Sequence, residues 1–298
     1  MPKLVWLNGD VMPLETATVS AADHAHLYGD GIFEGIRIYS RRVFKLDEHL
    51  DRLYHGIAYF GYEMTITQPE LRSIILDMCA QADISNGYIR LNVTRGTGLG
   101  LDPKNINRKP NVMIMVNELA LYPPSAYDTG LDVVTSSFRV MSPDTIEPRV
   151  KCIGKYASNI MAKMEANRQG AGEALMLNQM GQIAECSGDN IFLIQGNKVR
   201  TPHPSCGILQ GVTRNTAMEL AVAAGYKMVE EVLTPFDIFT ADEAFLTGTA
   251  AEIIGMVSLD GRKIGDGKPG PITRKLMEAY AKVRVTGVAF DKVAANAS

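Results

Sequence analysis

Apolar positions change their period several times along the chain. From Leu46 to Phe60 they recur at helical spacing (Leu46, Leu50, Leu53, Ile57), and Gly61, free to adopt positive φ, closes the helix this predicts. Pro69 opens a second helix over Glu70–Ala82, ended by the polar turn Ser85-Asn86-Gly87. Val43–Leu46, Tyr88–Thr94 and Val112–Asn117 read as strands, and the unbroken apolar run of the last predicts burial on both faces.

Between Tyr122 and Gly130 the periodicity lapses, and two prolines predict an extended segment. The domain boundary is placed there. Residues 1–121 form a small α+β domain, 122–130 a linker, and 131–298 a large α+β domain. The second domain opens with a strand over Leu131–Ser136, then an irregular stretch to Gly154. A helix over Tyr156–Arg168 follows, with Ala157, Ile160, Met161 and Met164 as its expected inner face. Hairpins surround Asn178–Gly181 and Gln195–Lys198, and Thr213–Ala224 is a helix ended by Gly225. Strands around Asp242–Thr247 and across Asp260-Gly261 precede a last helix, Pro271–Val283. Mixed strands with helices, twice over, predict an α+β fold.

Composition narrows the function. The 298 residues are 46% hydrophobic and carry 30 basic against 33 acidic side chains, a net charge of −3. That balance supplies no basic stripe for nucleic acid, and no apolar run reaches the roughly 18 residues that cross a bilayer. The amino terminus lacks the pattern of an export signal, and the scattered Cys79, Cys152, Cys186 and Cys206 form no Cys-x-x-Cys pair. A cytoplasmic protein without nucleic-acid or membrane partners is therefore expected.

Among candidate sites, Gly96-Thr-Gly-Leu-Gly100 follows a strand but runs into Leu101-Asp102-Pro103 rather than a helix, which argues against a dinucleotide loop. The five histidines (His24, His26, His49, His55, His203) match no metal-binding helical pair, so no metal is expected. No Gly-x-Ser-x-Gly turn is present either. More informative are Lys151, just before a helix, and Glu185, at the end of a strand. With them go Gly211-Val-Thr213 and Gly248-Thr249, each read as a glycine turn entering a helix. Each alone has an ordinary structural explanation. Together they suit pyridoxal phosphate, which needs an amine for its aldehyde, helix-terminal amides for its phosphate and a carboxylate for its ring nitrogen.

Seven ordered motifs then carry a family resemblance. They are Tyr28-Gly-Asp-Gly-Ile-Phe-Glu-Gly-Ile-Arg37, Glu48-His-Leu-Asp-Arg-Leu53, Tyr88-Ile-Arg90, Lys151 five residues before Tyr156, Glu185 to Phe192, Gly211-Val-Thr-Arg214, and Thr247-Gly-Thr-Ala-Ala-Glu252. The chain, from about Trp6 to Tyr280, resembles the branched-chain amino-acid aminotransferases of the class IV pyridoxal-phosphate family. The resemblance implies a two-domain fold like that of the D-amino-acid aminotransferases, with the cofactor in a cleft between domains. It also implies transamination of leucine, isoleucine or valine with 2-oxoglutarate.

By the same resemblance Lys151 is the Schiff-base lysine and proton shuttle, with Lys155 a neighbour without that role. Tyr156 would bond the cofactor's phenolic oxygen and Glu185 its ring nitrogen. Arg52, Val212, Thr213 and Thr249 would hold the phosphate, and Asn190 and Gly248 belong to the same cofactor-binding set. Phe33, Gly35, Tyr88, Leu99 and Leu101 would wall an apolar substrate pocket, together with Tyr28, and the amides of Thr249, Ala250 and Ala251 would take the substrate's α-carboxylate. Arg90 shares a strand face with Tyr88 and is placed at the distal carboxylate of glutamate, a role open to Arg37 as well. A homodimer or larger homo-oligomer is implied, with the Gly96–Asn107 loop near its interface. D-amino-acid aminotransferases, (R)-amine transaminases and aminodeoxychorismate lyases of the same family are the alternatives.

Overall fold

The computed structural model describes residues 4–118 and 121–290. These pack as two compact units, one of residues 4–118, 150–154 and 284–290, the other of residues 121–149 and 155–283.

The first unit is built on an antiparallel sheet of β1 (Leu4–Leu7), β2 (Asp10–Pro13), β3 (Gly31–Tyr39), β4 (Arg42–Val43), β5 (Gly87–Thr94) and β6 (Asn111–Asn117), joined by Val288–Ala289. The spatial order is Val288–Ala289, β4, β3, β5, β6, β1, β2. Three helices accompany it, α1 (His24–Tyr28), α2 (Leu46–Phe60) and α3 (Gln68–Ala82). In α2 the predicted stripe Leu46, Leu50, Leu53 and Ile57 is buried, and Gly61 ends the helix at φ 64°. In α3 Thr67 and Glu70 cap each other's amides, so the helix starts two residues before the expected Glu70.

One expectation fails in this unit. Strand β6 is not buried on both faces, because Val112, Ile114 and Val116 are buried whereas Met113 and Met115 are only half covered. Methionine is apolar enough to mimic a core residue in sequence yet tolerates partial exposure.

The second unit carries a mixed sheet. Its elements are α4 (Pro124–Thr129), β7 (Leu131–Thr135), α5 (Tyr156–Arg168), β8 (Glu173–Leu177), β9 (Ile183–Cys186), β10 (Asn190–Gln195) and β11 (Lys198–Pro202). There follow α6 (Val212–Ala223), β12 (Lys227–Glu231), α7 (Pro235–Phe239), β13 (Glu243–Gly248), β14 (Glu252–Leu259), β15 (Arg262–Lys263) and α8 (Pro271–Val283). The strand order is β12, β11, β10, β13, β14, β7, β8, β9, with β15 paired to β14. Its core includes Leu175, Ile183, Ile191, Leu246 and Ile254.

Two further expectations fail here. The segment 122–130 is not extended, since Pro123 caps α4 and Pro124 occupies its first turn, where a missing amide costs nothing. In α5 the residues expected inside, Ala157, Ile160, Met161 and Met164, are exposed, and Asn159, Ala162 and Ala166 are buried instead. Small side chains let the helix lie close on the sheet at β8, so size outweighs apolarity in choosing the inner face.

Candidate active site

In the first unit the antiparallel register pairs Phe33 with Asn92, Gly35 with Arg90 and Arg37 with Tyr88, which gathers these side chains on one face of the β3–β5 ladder. The Tyr88 hydroxyl fills the space that a Cβ on residue 35 would need, so any larger residue there would push the Tyr88 ring aside. Arg90 Nε donates to Asn92 Oδ1 at 2.8 Å, and its guanidinium carbon lies 3.7 Å from the centre of the Phe33 ring. Arg37 Nε is buried with no hydrogen-bond partner among the described residues.

Lys151 joins this group through the backbone. Phe33 N donates to Lys151 O at 3.0 Å and Ile153 N to Gly31 O at 2.7 Å, so residues 150–154 lie antiparallel against the start of β3. The Lys151 ammonium then stands 4.7 Å from the Phe33 ring centre.

Behind the same strand Glu34, which is 0% exposed, accepts from Arg52 Nε and Nη2 and from His49 Nδ1, each at 2.7 Å. Burial alone would raise the Glu34 carboxyl, but the charges and hydrogen bonds of Arg52 and His49 hold it at about 2. Burial likewise keeps His49 below the usual histidine range, against the pull of Glu34. The Arg52 guanidinium is thus fixed by two parallel bonds to one carboxylate.

The Gly96–Asn107 loop is tethered near its middle. His24 Nδ1 meets Asp30 Oδ2 at 2.8 Å and His24 Nε2 meets Gly100 O at 2.9 Å, while Gly100 N donates to the Tyr28 hydroxyl at 3.1 Å. Asp30 is gripped in addition by Arg95 and Tyr62; burial pushes its carboxyl up, but these partners outweigh burial and hold it below the ordinary range. Leu99 and Leu101, either side of Gly100, are 74% and 77% exposed.

In the second unit Glu185, near the end of β9, is buried. Its Oε2 accepts from Leu209 N at 2.8 Å and from Asn190 Nδ2 at 3.5 Å, and its Oε1 lies 3.4 Å from Lys155 Nζ. Asn190 Nδ2 also donates to Leu209 O at 2.9 Å. Tyr156, directly after Lys155, begins α5 and is half-buried. Gly211 caps α6 without any side-chain hydrogen bond, and the Asn190 side chain packs where its Cβ would stand, so the cap residue itself puts no side chain over the first amides of the helix, at Val212 and Thr213.

Gly248 and Thr249 do not enter a helix as expected. Gly248 ends β13, Thr249 and Ala250 turn, Ala251 is buried, and Glu252 at φ 62° begins β14, so the segment is a β-hairpin turn. The paired residues Thr247 and Asn190 face the same side of the sheet, and Thr247 Oγ1 is buried with no partner among the described residues.

Each expected residue is therefore placed. The structure brings Phe33, Gly35, Tyr88, Arg90 and Lys151 together, and it gathers Glu185 and Asn190 with the start of α6. It leaves Leu99 and Leu101 facing outward. Sequence reasoning missed Glu34, although an acid between Ile32 and Ile36 at a period-two buried position signals a buried partner. It also missed the contact between Lys155 and Glu185, for which sequence spacing offers no signal.

Residues 31–259 match the model of the amino-transferase class IV family. The chain belongs to the class IV aminotransferases. A branched-chain-amino-acid aminotransferase from Pseudomonas aeruginosa is 36% identical over 283 residues, 93% of this chain and 91% of its own. The crystal structure of the Escherichia coli branched-chain amino acid aminotransferase superimposes with a TM-score of 0.92 at 30% identity, covering 97% of this chain and 96% of that one. The T.th. branched-chain amino acid aminotransferase, solved with N-(5'-phosphopyridoxyl)-L-glutamate, gives 0.90 at 32% identity over 96% and 95%. The α+β class IV fold and the branched-chain resemblance read from the sequence both stand, and the chain is an aminotransferase.

Proposed function

We propose that this enzyme moves the amino group of leucine, isoleucine or valine to 2-oxoglutarate with pyridoxal phosphate bound through Lys151. The observation that carries this reading is the face shared by β3 and β5, which holds the rings of Phe33 and Tyr88 and the guanidiniums of Arg37 and Arg90, with the Lys151 amine against the Phe33 ring. An amine serves the cofactor, the wall suits a branched aliphatic side chain, and Arg90 suits the second carboxylate of glutamate, which would be costly to bury unpaired. The glutamate adduct of the T.th. relative supports glutamate as the other amino partner.

The residues fit the cofactor. Glu185 is oriented by Leu209 N–H and Asn190, the cap of α6 has no side-chain hydrogen bond, and the Thr247 hydroxyl is buried without a partner among the described residues. When bound, pyridoxal phosphate supplies an aldehyde to hold the amino group and a ring that accepts the electrons left by the departing α-proton. Lys151 would supply the amine for that aldehyde and would move the proton at the substrate's α-carbon. Glu185 would stabilise the protonated ring nitrogen, and Tyr156 would hold the phenolic oxygen. The amides at Val212 and Thr213, with Thr249, would hold the phosphate, a role the family resemblance extends to Arg52, and those of Thr249, Ala250 and Ala251 would take the α-carboxylate.

The exposed Leu99 and Leu101 are read as pocket residues covered by a second copy of the chain, so that the active form is at least a homodimer. A cytoplasmic location is supported by four unpaired cysteines and by the lack, among the described residues, of a helix long and apolar enough to cross a membrane. Half-reactions with L-leucine, D-alanine, (R)-1-phenylethylamine and aminodeoxychorismate, followed by the cofactor's absorbance, test the assignment. Conversion by L-leucine alone is expected; conversion by D-alanine or by the amine would replace it.

A further inference from the structure

Lys155 immediately precedes α5, and its side chain is almost wholly buried. Its Nζ donates to Pro148 O at 3.1 Å and stands 3.4 Å from Glu185 Oε1. The other Glu185 oxygen is already engaged by Leu209 N and Asn190 Nδ2. A neutral donor would satisfy the Pro148 carbonyl at far smaller desolvation cost than an ammonium. What an ammonium adds is charge, and the acid it faces is Glu185. Without that cation a buried carboxylate would be held by neutral donors on one oxygen only.

We propose that Lys155 is a positioning residue for transamination: its ammonium holds Glu185 as an oriented carboxylate anion before the cofactor binds, so that the ring nitrogen meets a charged acceptor already in place. The inference rests on the reading of Glu185 as the partner of that nitrogen. It also separates the two neighbouring lysines, since Lys151 acts on the substrate and Lys155 acts only through Glu185.

The test is a double-variant cycle on protein stripped of cofactor and titrated with pyridoxal 5'-phosphate. Lys155→Met is expected to weaken binding ~10-fold in the otherwise unchanged protein. It should cost nothing in a Glu185→Gln background, where no charge remains for the ammonium to hold. Equal losses in both backgrounds would overturn the proposal, because the lysine would then act through packing. Lys155→Gln, which keeps a donor for Pro148 O and disturbs the fold less, should repeat the methionine result, and an unchanged affinity would overturn the role of charge.

A second readout separates this inference from the one beneath it. The ring-nitrogen 15N resonance of bound labelled cofactor should move in Glu185→Gln and, to a smaller extent, in Lys155→Met. A resonance that Glu185→Gln leaves in place removes Glu185 as the nitrogen's partner, and this inference falls with it. One that moves with Glu185 while Lys155→Met leaves it unmoved, with equal affinity losses in both backgrounds, removes Lys155 alone.

Discussion

Phe33 and Lys151 meet twice: the Phe33 amide donates to the Lys151 carbonyl at 3.0 Å, and the Lys151 ammonium stands 4.7 Å from the Phe33 ring centre. The backbone bond fixes where the lysine leaves the chain, and the ring restricts where its amine points. Arg90 lies against the same ring at 3.7 Å. A single aromatic side chain thus orders the amine assigned to chemistry and the guanidinium assigned to substrate choice.

Replacing Lys151 by alanine is expected to abolish turnover, because on the proposed reading the covalent anchor and the proton carrier would be lost together. The melting temperature of the cofactor-free protein should stay within a few degrees of the parent. If Lys151→Ala kept the cofactor's visible absorbance and Lys155→Ala lost it, the two roles would have to be exchanged.

Glu185→Gln should still bind cofactor but slow proton abstraction by roughly two to four decades, the usual worth of a lost acid–base or electrostatic contribution. Single-turnover rates with L-leucine measure this directly, and a rate within a few-fold of the parent would remove Glu185 from the chemistry.

If Arg90 binds the distal carboxylate as proposed, Arg90→Ala should penalise glutamate more than leucine, since only glutamate would lose a charged partner. A charge-assisted hydrogen bond is worth about 1.5–3 kcal/mol, which corresponds to a ten- to hundred-fold change in relative kcat/KM. Equal losses for the two half-reactions would make Arg90 structural and shift attention to Arg37, whose Nε is buried without a partner among the described residues.

The buried Glu34 ties stability to pH. Held at about 2 when folded against 4.5 when free, it contributes about 3 kcal/mol that is fully present above pH 4.5 and lost as pH falls through about 2. His49, kept below 6.5 by burial, acts with the same sign, because the folded chain resists its protonation and stability starts to decline as pH drops below that value. Urea unfolding between pH 7 and pH 3 should show Glu34→Gln less stable at neutrality, with the gap to the parent narrowing in acid. Parallel curves would refute the linkage.

Much of this fold was legible where periodicity and capping agree. The apolar stripe of α2 with its closing glycine, and the full spans of α5 and α8, stand at the expected residues. What spacing could not convey was side-chain size. Ala162 and Ala166 take the inner face of α5 because they permit close approach, while the larger Ile160, Met161 and Met164 turn outward. Likewise the prolines before Ser125 start a helix rather than prevent one, and Gly248-Thr249 turns a hairpin because strands flank it on both sides, a fact of pairing rather than of local sequence.

The candidate site residues came from motif order and not from chemistry residue by residue. Tyr88 and Arg90 could be grouped because a period of two places alternate residues of a strand together, whereas Phe33 and Gly35 joined them only through the family resemblance. Glu34 and Lys155 escaped because each matters through a partner distant in sequence, Arg52 and Glu185 respectively.

The short return of residues 150–154 to β3 has a consequence for how the protein is made. During synthesis residues 4–118 emerge long before the segment that carries Lys151, and the pairing of Phe33 with Lys151 closes a loop of more than a third of the chain. Such non-local closure is slow relative to the formation of helices and hairpins. The amine that would anchor the cofactor is therefore among the last features of its own unit to be installed, and a nascent chain halted before that point would present the aromatic wall without the reactive group.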